Sequence, residues 1–217
     1  RALLTEAGAD AVAAAAERAG WEPAATLTAV LLPAAQGTQV LGQVDPRTLR
    51  PAEDLADLPD GSAVLLVPGT GSRTARTSLL RSLRGTDAVV GHAVPWLEAA
   101  ASYRRALRCV SLDLPGPGPV DADQHLPEIL LSADPDVRRA LRERVLAPLA
   151  DLRPTTAEKL TETLRAWLLH QGRRDAVAEA LFVHPQTVRY RVGQLREAYG
   201  DRLDDPAFVL EATLALG

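Results

Sequence analysis

The chain has 217 residues, of which 47% are hydrophobic and 4% aromatic, and its formal net charge is −4 at pH 7. This length allows two domains, with cores built mainly from Leu, Val and Ala. The single cysteine excludes an internal disulfide or thiolate metal site, and no apolar run approaches the roughly 20 residues of a membrane span, so we expect a cytoplasmic protein. The negative charge argues against non-specific coating of nucleic acid, so charge has to be considered locally.

The sequence contains no methionine. We therefore expect that Arg1 is not the start of translation and that a region upstream is missing. A small-molecule effector acting through that region stays open.

The first half of the chain alternates predicted strands with predicted helices. An Ala-rich stretch at 5–19 predicts a helix, and we interpret residues 1–22 as a linker or a dimer-supporting helix. The predicted strands are 26–32, 39–44, 63–67, 88–90 and 109–114, and the predicted helices are 73–83 and 95–108. This order indicates an α+β or α/β sandwich at 23–120, with about four or five strands covered by helices.

The second half shows helical periodicity only, from Leu126 to the end. We interpret 121–153 as connecting helices and 154–217 as an all-α domain. The predicted helix breaks are Asp134-Pro135, Arg153-Pro154 and Asp205-Pro206.

Three helices are predicted in the last domain, at about 156–170, 174–181 and 185–198. On the second of these, the predicted inward residues are Ala176, Val177, Ala180 and Leu181. Only residues 182–184 separate the second helix from the third, and Pro185 suits the first position of a helix. A short turn between two helices, the second of which opens with polar and basic residues, is typical of a helix-turn-helix. The third helix is therefore a candidate for reading double-stranded DNA.

On a helical wheel, Val188, Val192 and Leu195 share one face of the third helix and are predicted to be core. The other positions carry residue types that contact bases and phosphates, and Gly193 would allow close approach. Pattern alone leaves an ordinary three-helix bundle with exposed arginines as an equal alternative. The candidate DNA-binding residues are Arg173, Arg174, His184, Gln186, Thr187, Arg189, Tyr190, Arg191 and Gln194.

The string from Val183 to Val192, with 163–168 and 176–181 before it, closely resembles the C-terminal helix-turn-helix of the PucR/CdaR family of bacterial transcription regulators. The segments 203–206 and 214–216 resemble the closing helix of that family. Gln186, where the family usually has Asn, and the Arg173-Arg174 pair depart from the family pattern. The resemblance implies a sequence-specific transcriptional regulator that is not an enzyme and that binds a promoter or operator.

Residues 90–99, with Ser102, Tyr103 and Ala106, look like the GGDEF-like middle domain that precedes this helix-turn-helix in actinobacterial members. The resemblance implies an α+β N-terminal domain, a degenerate GGDEF-like sheet with covering helices, followed by an all-α helix-turn-helix domain. Because the Gly-Gly-Asp/Glu-Glu-Phe string and paired carboxylates for Mg²⁺ are missing, we expect no cyclase activity and no cofactor.

Other candidate sites have simpler interpretations. The turn at 68–74 follows a strand and opens a helix as a phosphate cradle does, but it lacks a Walker lysine, and capping by Ser72 explains it. The four histidines are scattered without metal-ligand spacing, and His184 is expected to cap the reading helix or touch phosphate. Cys109 is expected to be a buried apolar filler, and Trp96 and Tyr103 are expected to be core or dimer contacts.

Two functions are therefore weighed. The first is a DNA-binding regulator that acts as a homodimer or higher oligomer, because one small DNA-binding head offers limited contact area. The alternative is a ligand- or nucleotide-sensing α+β domain whose C-terminal helices serve protein–protein contacts. The alternative predicts a nucleotide or metal near 69–72 and no salt-dependent affinity for DNA.

Overall fold

The structure is a computed structural model that describes residues 2–4, 8–51, 55–114 and 118–217. The chain divides into two compact units, Arg1–Leu130 and Leu131–Gly217. Among the described residues, none of the helices combines the length and the apolar character that crossing a membrane requires.

The first unit is built on a mixed five-stranded sheet. The central strand β1 (Thr26–Pro33) pairs antiparallel with β2 (Ser62–Pro68) on one side and with β3 (Val89–Val90) and β4 (Val94–Pro95) on the other. The edge strand β5 (Val120–Asp121) runs parallel to β3. The strand order is therefore β2-β1-β3-β5, and the predicted mixed α/β character of this region is confirmed.

Helices cover both faces of the sheet, which explains why the middle strands are apolar throughout. Alternate residues of β1 point to opposite faces. Leu31 packs in one core with Tyr103 of α4 (Ala99–Val110), and Val30 packs in another with Leu79 of α3 (Arg73–Ser82).

One predicted strand, 39–44, is wrong. The helix α2 (Ala34–Leu41) follows β1 directly. Gly37 and Val40 are buried, and Leu41 and Val44 pack partly on the same core. Their spacing of three and four residues is the helical one, and the short alternation of apolar and polar residues around Val40 misled the prediction.

The predicted strand 109–114 is also wrong. The helix α4 continues to Val110, after a 3₁₀ turn at Trp96–Glu98 that occupies the start of the predicted helix. The edge strand forms later, at β5. Cys109 is buried in the helix, and burial raises the pKa of its thiol, which fits a buried apolar filler.

The N-terminal helix α1 spans Ala9–Arg18 and buries Val12 and Ala16. Trp21, which follows it, meets Trp96 edge-on with ring centroids 5.7 Å apart. Residues 5–7 of the predicted helix lie outside the described residues. A linking or dimer-supporting role for this helix stays a prediction.

The second unit is helical, as predicted. After α5 (Leu126–Leu131), where the two units divide, it contains α6 (Pro135–Leu146), α7 (Pro154–Leu169), α8 (Arg174–Ala180), α9 (Pro185–Tyr199) and α10 (Pro206–Leu216). The predicted breaks at 134–135, 153–154 and 205–206 are confirmed, because each proline occupies the first turn of a helix. The carboxylates of Asp134 and Asp205 cap α6 and α10.

A core of leucines and aromatic rings holds α6, α7, α9 and α10 together. Tyr199 and Phe208 pack with ring centroids 5.2 Å apart. The Tyr199 hydroxyl donates to the Val145 carbonyl oxygen at 2.9 Å, so the last turn of α9 is tied to α6.

Candidate DNA interface

The helices α7, α8 and α9 pack around a second small core in this unit. Val177 and Ala178 of α8 are buried with Val188 and Val192 of α9. The predicted core face of α9 is confirmed, and its Leu195 is buried in the larger core. The predicted inward face of α8 is partly wrong, because Ala178 is buried and Ala180 is exposed.

The turn between α8 and α9 is a Schellman motif. The Val183 N–H donates to the Ala178 carbonyl at 3.0 Å, and the Phe182 N–H donates to the Glu179 carbonyl at 3.2 Å. The motif requires a left-handed residue, and Phe182 takes that conformation with φ +52°. The turn is therefore fixed by backbone bonds that set where α9 begins.

His184 caps the start of α9, as predicted. Its Nδ1 accepts a hydrogen bond from the Gln186 N–H at 3.2 Å, and its carbonyl oxygen accepts from the Thr187 N–H at 2.8 Å. Since Nδ1 accepts, the ring hydrogen of the neutral imidazole lies on Nε2. The cap therefore anchors the first turn of α9.

The outward face of α9 brings together Gln186, Arg189, Tyr190 and Gly193, which follow one another at helical spacing. Gln186 and Arg189 are exposed, and 67% of Tyr190 is accessible to solvent. An added Cβ at Gly193 would meet no atom within 4 Å. A duplex could therefore approach this face without displacing protein atoms.

Thr187, Gln194 and Arg191 flank that face and are partly buried. Arg191 faces α7, where its Nη1 donates to Oγ1 of the buried Thr163 at 3.3 Å. Arg189 and Arg191 are both candidate DNA-binding residues and are two positions apart, but the structure places them on different sides of α9.

Arg173 and Arg174 lie exposed at the start of α8. Nε of Arg173 donates to the His170 carbonyl at 3.3 Å, and Nε of Arg174 lies 3.6 Å from a carboxylate oxygen of Asp175. An exposed ion pair and a single exposed hydrogen bond each contribute little to stability, so both guanidinium groups can be diverted to phosphate at small cost.

The local charge of this segment differs from that of the whole chain. Residues 171–196 contain five arginines and two acidic residues, although the chain as a whole carries −4. This positive balance is the electrostatic requirement for binding a polyphosphate backbone.

Sequence reasoning passed over Phe182. Its side chain is 97% exposed, the largest exposure among the large apolar side chains that the structure describes. The signal that could have found it is its place, two residues after the end of α8, where a left-handed turn normally takes Gly.

Two hydroxyl groups of the turn at 68–74 in the first unit are engaged in the fold. Oγ of Ser72 accepts from the Ala75 N–H at 3.1 Å, so the predicted cap of α3 is confirmed. The Thr70 hydroxyl is buried and bonded to that of Thr28.

A cavity of about 290 Å³ lies beside this turn, and Asp45 is the one charged residue among the described residues that line it. Hydrogen bonds from Arg47 hold the pKa of the Asp45 carboxyl below its usual value, so the carboxyl is negative at neutral pH. That charge is paired with Arg47, and no described residue of the lining is a cation that could hold a nucleotide phosphate.

Comparison with known families identifies the helical unit. Residues 160–217 match the model of the PucR C-terminal helix-turn-helix domain. The helical unit therefore carries a PucR-type helix-turn-helix domain. The match begins in α7 and ends with α10, so the PucR domain contains the whole outward face of α9 described above.

The similarity to other proteins extends beyond this domain. An uncharacterized protein of Mycobacterium tuberculosis is 36% identical over 173 residues, which are 75% of this chain and 40% of that protein. The chain therefore spans less than half the length of this relative. An uncharacterized protein in the pkwA 5′ region of Thermomonospora curvata is 33% identical over 135 residues, 53% of this chain and 69% of that protein.

Among solved structures, the crystal structure of a regulator of polyketide synthase expression from Bifidobacterium adolescentis matches 100% of this chain and 89% of its own. The identity is 22% and the TM-score is 0.45. A similarity at this level does not decide the fold or the function.

Proposed function

We propose that the chain is part of a sequence-specific, DNA-binding transcriptional regulator of the PucR/CdaR type. The observation that carries the proposal is the outward face of α9, where Gln186, Arg189 and Tyr190 are exposed inside a PucR helix-turn-helix domain. Arg can bond the O6 and N7 edge of guanine with two hydrogen bonds, and Gln can do the same at adenine. Such side chains read sequence when their helix lies in the major groove.

Residues on both sides of the outward face of α9 are proposed to contact phosphates. Arg173 and Arg174 at the start of α8, with the flanking Thr187 and Gln194, are the side chains that we assign to the sugar–phosphate backbone. His184, at the start of α9, is also assigned to a phosphate of the same strand, which its Nε2 can approach while Nδ1 caps the helix. These contacts set the position of α9 on DNA and make the affinity depend on salt.

The regulator acts as a homodimer or higher oligomer in this proposal. One helix presents few base-reading side chains, so two copies on paired half-sites are the physical route to useful specificity. The first unit is the degenerate GGDEF-like domain of the family and has no enzymatic role. The protein works in the cytoplasm, and an effector acts through other parts of the full-length protein.

The test is a selection of bound sequences from a random duplex library with the purified chain, followed by titration of the recovered site. Replacing Arg189 with Ala is expected to weaken specific binding by about 1–3 kcal/mol and to relax the preference at one base position. Arg142→Ala, which removes an equal charge from the exposed surface of α6, is the matched control.

The alternative function, a ligand- or nucleotide-sensing first unit, predicts the opposite result in this selection. If a ligand-sensing first unit were the functional centre, nucleotides would bind near Gly69 and Ser72 and the library would yield no enriched sequence. No enrichment with the chain and with its full-length form would overturn the regulator proposal. Unchanged affinity and unchanged preference in Arg189→Ala would overturn the role of this face.

A further inference from the structure

Phe182 combines two unfavourable features in one residue. Its φ of +52° lies in the left-handed region, where a Cβ is crowded by the backbone. Its ring is 97% exposed, so it contributes almost nothing to the core. Gly at this position would relieve the backbone and remove apolar surface from water.

The fold provides no compensation for this residue. The two Schellman hydrogen bonds impose the left-handed conformation, and any residue at 182 inherits it. A left-handed residue whose large apolar side chain is also left in solvent points to a role outside the folded chain.

The position of Phe182 indicates that role. It lies two residues before His184, the cap of α9, and therefore beside the end of the helix that enters DNA. The surrounding segment, 171–196, carries five arginines against two acidic residues. This charge complements a polyanion such as DNA, whose sugars also offer apolar surface.

We infer that the Phe182 ring packs on a deoxyribose of the DNA backbone beside the N-terminus of α9, as an uncharged contact. The inference rests on the proposed function, because it places α9 in the major groove. The contact buries apolar surface of both partners and releases no counterion. It therefore adds affinity that is equal for all sequences and independent of salt.

The test compares Phe182→Gly with Gln171→Gly. Gln171 has the same φ, +52°, at the end of α7, and its side chain is also exposed. Both variants are expected to raise the urea midpoint of unfolding, because both relieve a left-handed residue. Only Phe182→Gly is expected to weaken DNA binding, by about three- to tenfold.

The binding is measured for the selected duplex and for an unrelated duplex, at several salt concentrations. An equal loss on both duplexes with an unchanged salt slope supports a sugar contact. Wild-type affinity in Phe182→Gly, while Arg189→Ala loses specificity, overturns this inference and leaves the proposed function standing. Failure of both the wild-type chain and its full-length form to select any sequence overturns the proposed function.

Two further outcomes would also overturn the inference. The first is measured with a selected site in which deoxyuridine replaces thymine. If the wild type binds this site more weakly, by the same factor as Phe182→Gly binds the unmodified site, the ring contacts a thymine methyl group. If Phe182→Gly changes the sedimentation of the free protein from dimer to monomer, the ring contacts a second copy of the chain.

Discussion

The Nη1 of Arg191 donates to Oγ1 of Thr163 at 3.3 Å, although Arg191 is only two residues from Arg189 on the same helix. The Thr163 hydroxyl itself donates to the Lys159 carbonyl at 2.7 Å and is buried. The two arginines therefore have different surroundings: Arg191 holds α9 on α7, and Arg189 is free for a partner.

Replacing Arg191 with Ala is expected to lower the free energy of unfolding of the helical unit by about 1 kcal/mol, because a buried acceptor loses its donor. Arg189→Ala is expected to change it by less than about 0.5 kcal/mol. Urea unfolding monitored by Trp167 fluorescence measures both. Equal stabilities of the two variants would contradict the assignment of Arg191 to the fold.

Gly193→Ala is expected to stabilise the helical unit and to weaken DNA binding. Alanine is favoured over glycine in a helix by about 1 kcal/mol, and the new Cβ meets no protein atom within 4 Å. The same Cβ projects from the face that approaches DNA. Thermal unfolding and titration of the selected duplex are the two measurements, and a stabilised variant with undiminished affinity would show that DNA does not approach Gly193.

Arg173→Ala is expected to weaken binding to all duplexes alike and to lower the slope of log affinity against log salt by about 1, as expected for one lost phosphate contact. Fluorescence anisotropy at several salt concentrations measures the slope. The exposed Arg142 of α6 supplies the control, and Arg142→Ala should leave the slope unchanged.

Arg76 is expected to be the main polar determinant of stability in the first unit. Its guanidinium donates to the Gly91 carbonyl at 2.5 Å and forms an ion pair with Asp121, and the two side chains are only 14% and 11% exposed. Arg76→Met leaves the buried Asp121 carboxylate without its ion-pair partner. This change should lower the free energy of unfolding of the first unit by about 3 kcal/mol.

The double variant Arg76→Met with Asp121→Asn tests the cause. It removes the unpaired charge and should recover part of the unfolding free energy that Arg76→Met loses. Unfolding is followed by fluorescence of Trp21 and Trp96 in a Trp167→Phe background. A double variant less stable than Arg76→Met would contradict the proposed cause.

Alkaline pH is expected to weaken the helical unit through Tyr199. Burial raises the pKa of its phenol to about 12, against about 10 in an unfolded chain. Because the folded-state pKa is the higher one, this stabilisation is complete below about pH 10 and is lost as the pH rises through about 12.

The Tyr199 titration can be measured directly. The chain has three tyrosines, so ¹³Cζ labelling gives signals that single Tyr→Phe variants assign. In Tyr199→Phe the fall in unfolding free energy above pH 10 should be smaller than in the wild type. A Tyr199 signal that titrates near pH 10 in the folded protein would contradict this prediction.

The helical unit was largely predictable because its signals are local. Proline in the first turn marks four of its helices, and the capping side chains Asp134, His184 and Asp205 stand just before three of them. The spacing of Val188, Val192 and Leu195 gave the buried face of α9 directly. Patterns of this kind need no knowledge of distant residues.

The sheet unit was less predictable because its short segments depend on their neighbours. Val40 and Cys109 both lie in runs that alternate like strands, yet both are buried in helices. The edge strand β5 has only two residues and forms because β3 lies beside it. Whether such a segment pairs is decided by contacts that are distant in sequence.

The sequence by itself determined the order of the C-terminal helices, the core face of α9 and the local excess of arginine, since each follows from residue spacing or composition. Only the tertiary structure separated Arg189 from Arg191, buried Ala178 in place of Ala180, and left Phe182 both strained and exposed. The physical reason is that exposure and hydrogen bonding depend on which elements pack together, and residues close in sequence can meet different neighbours.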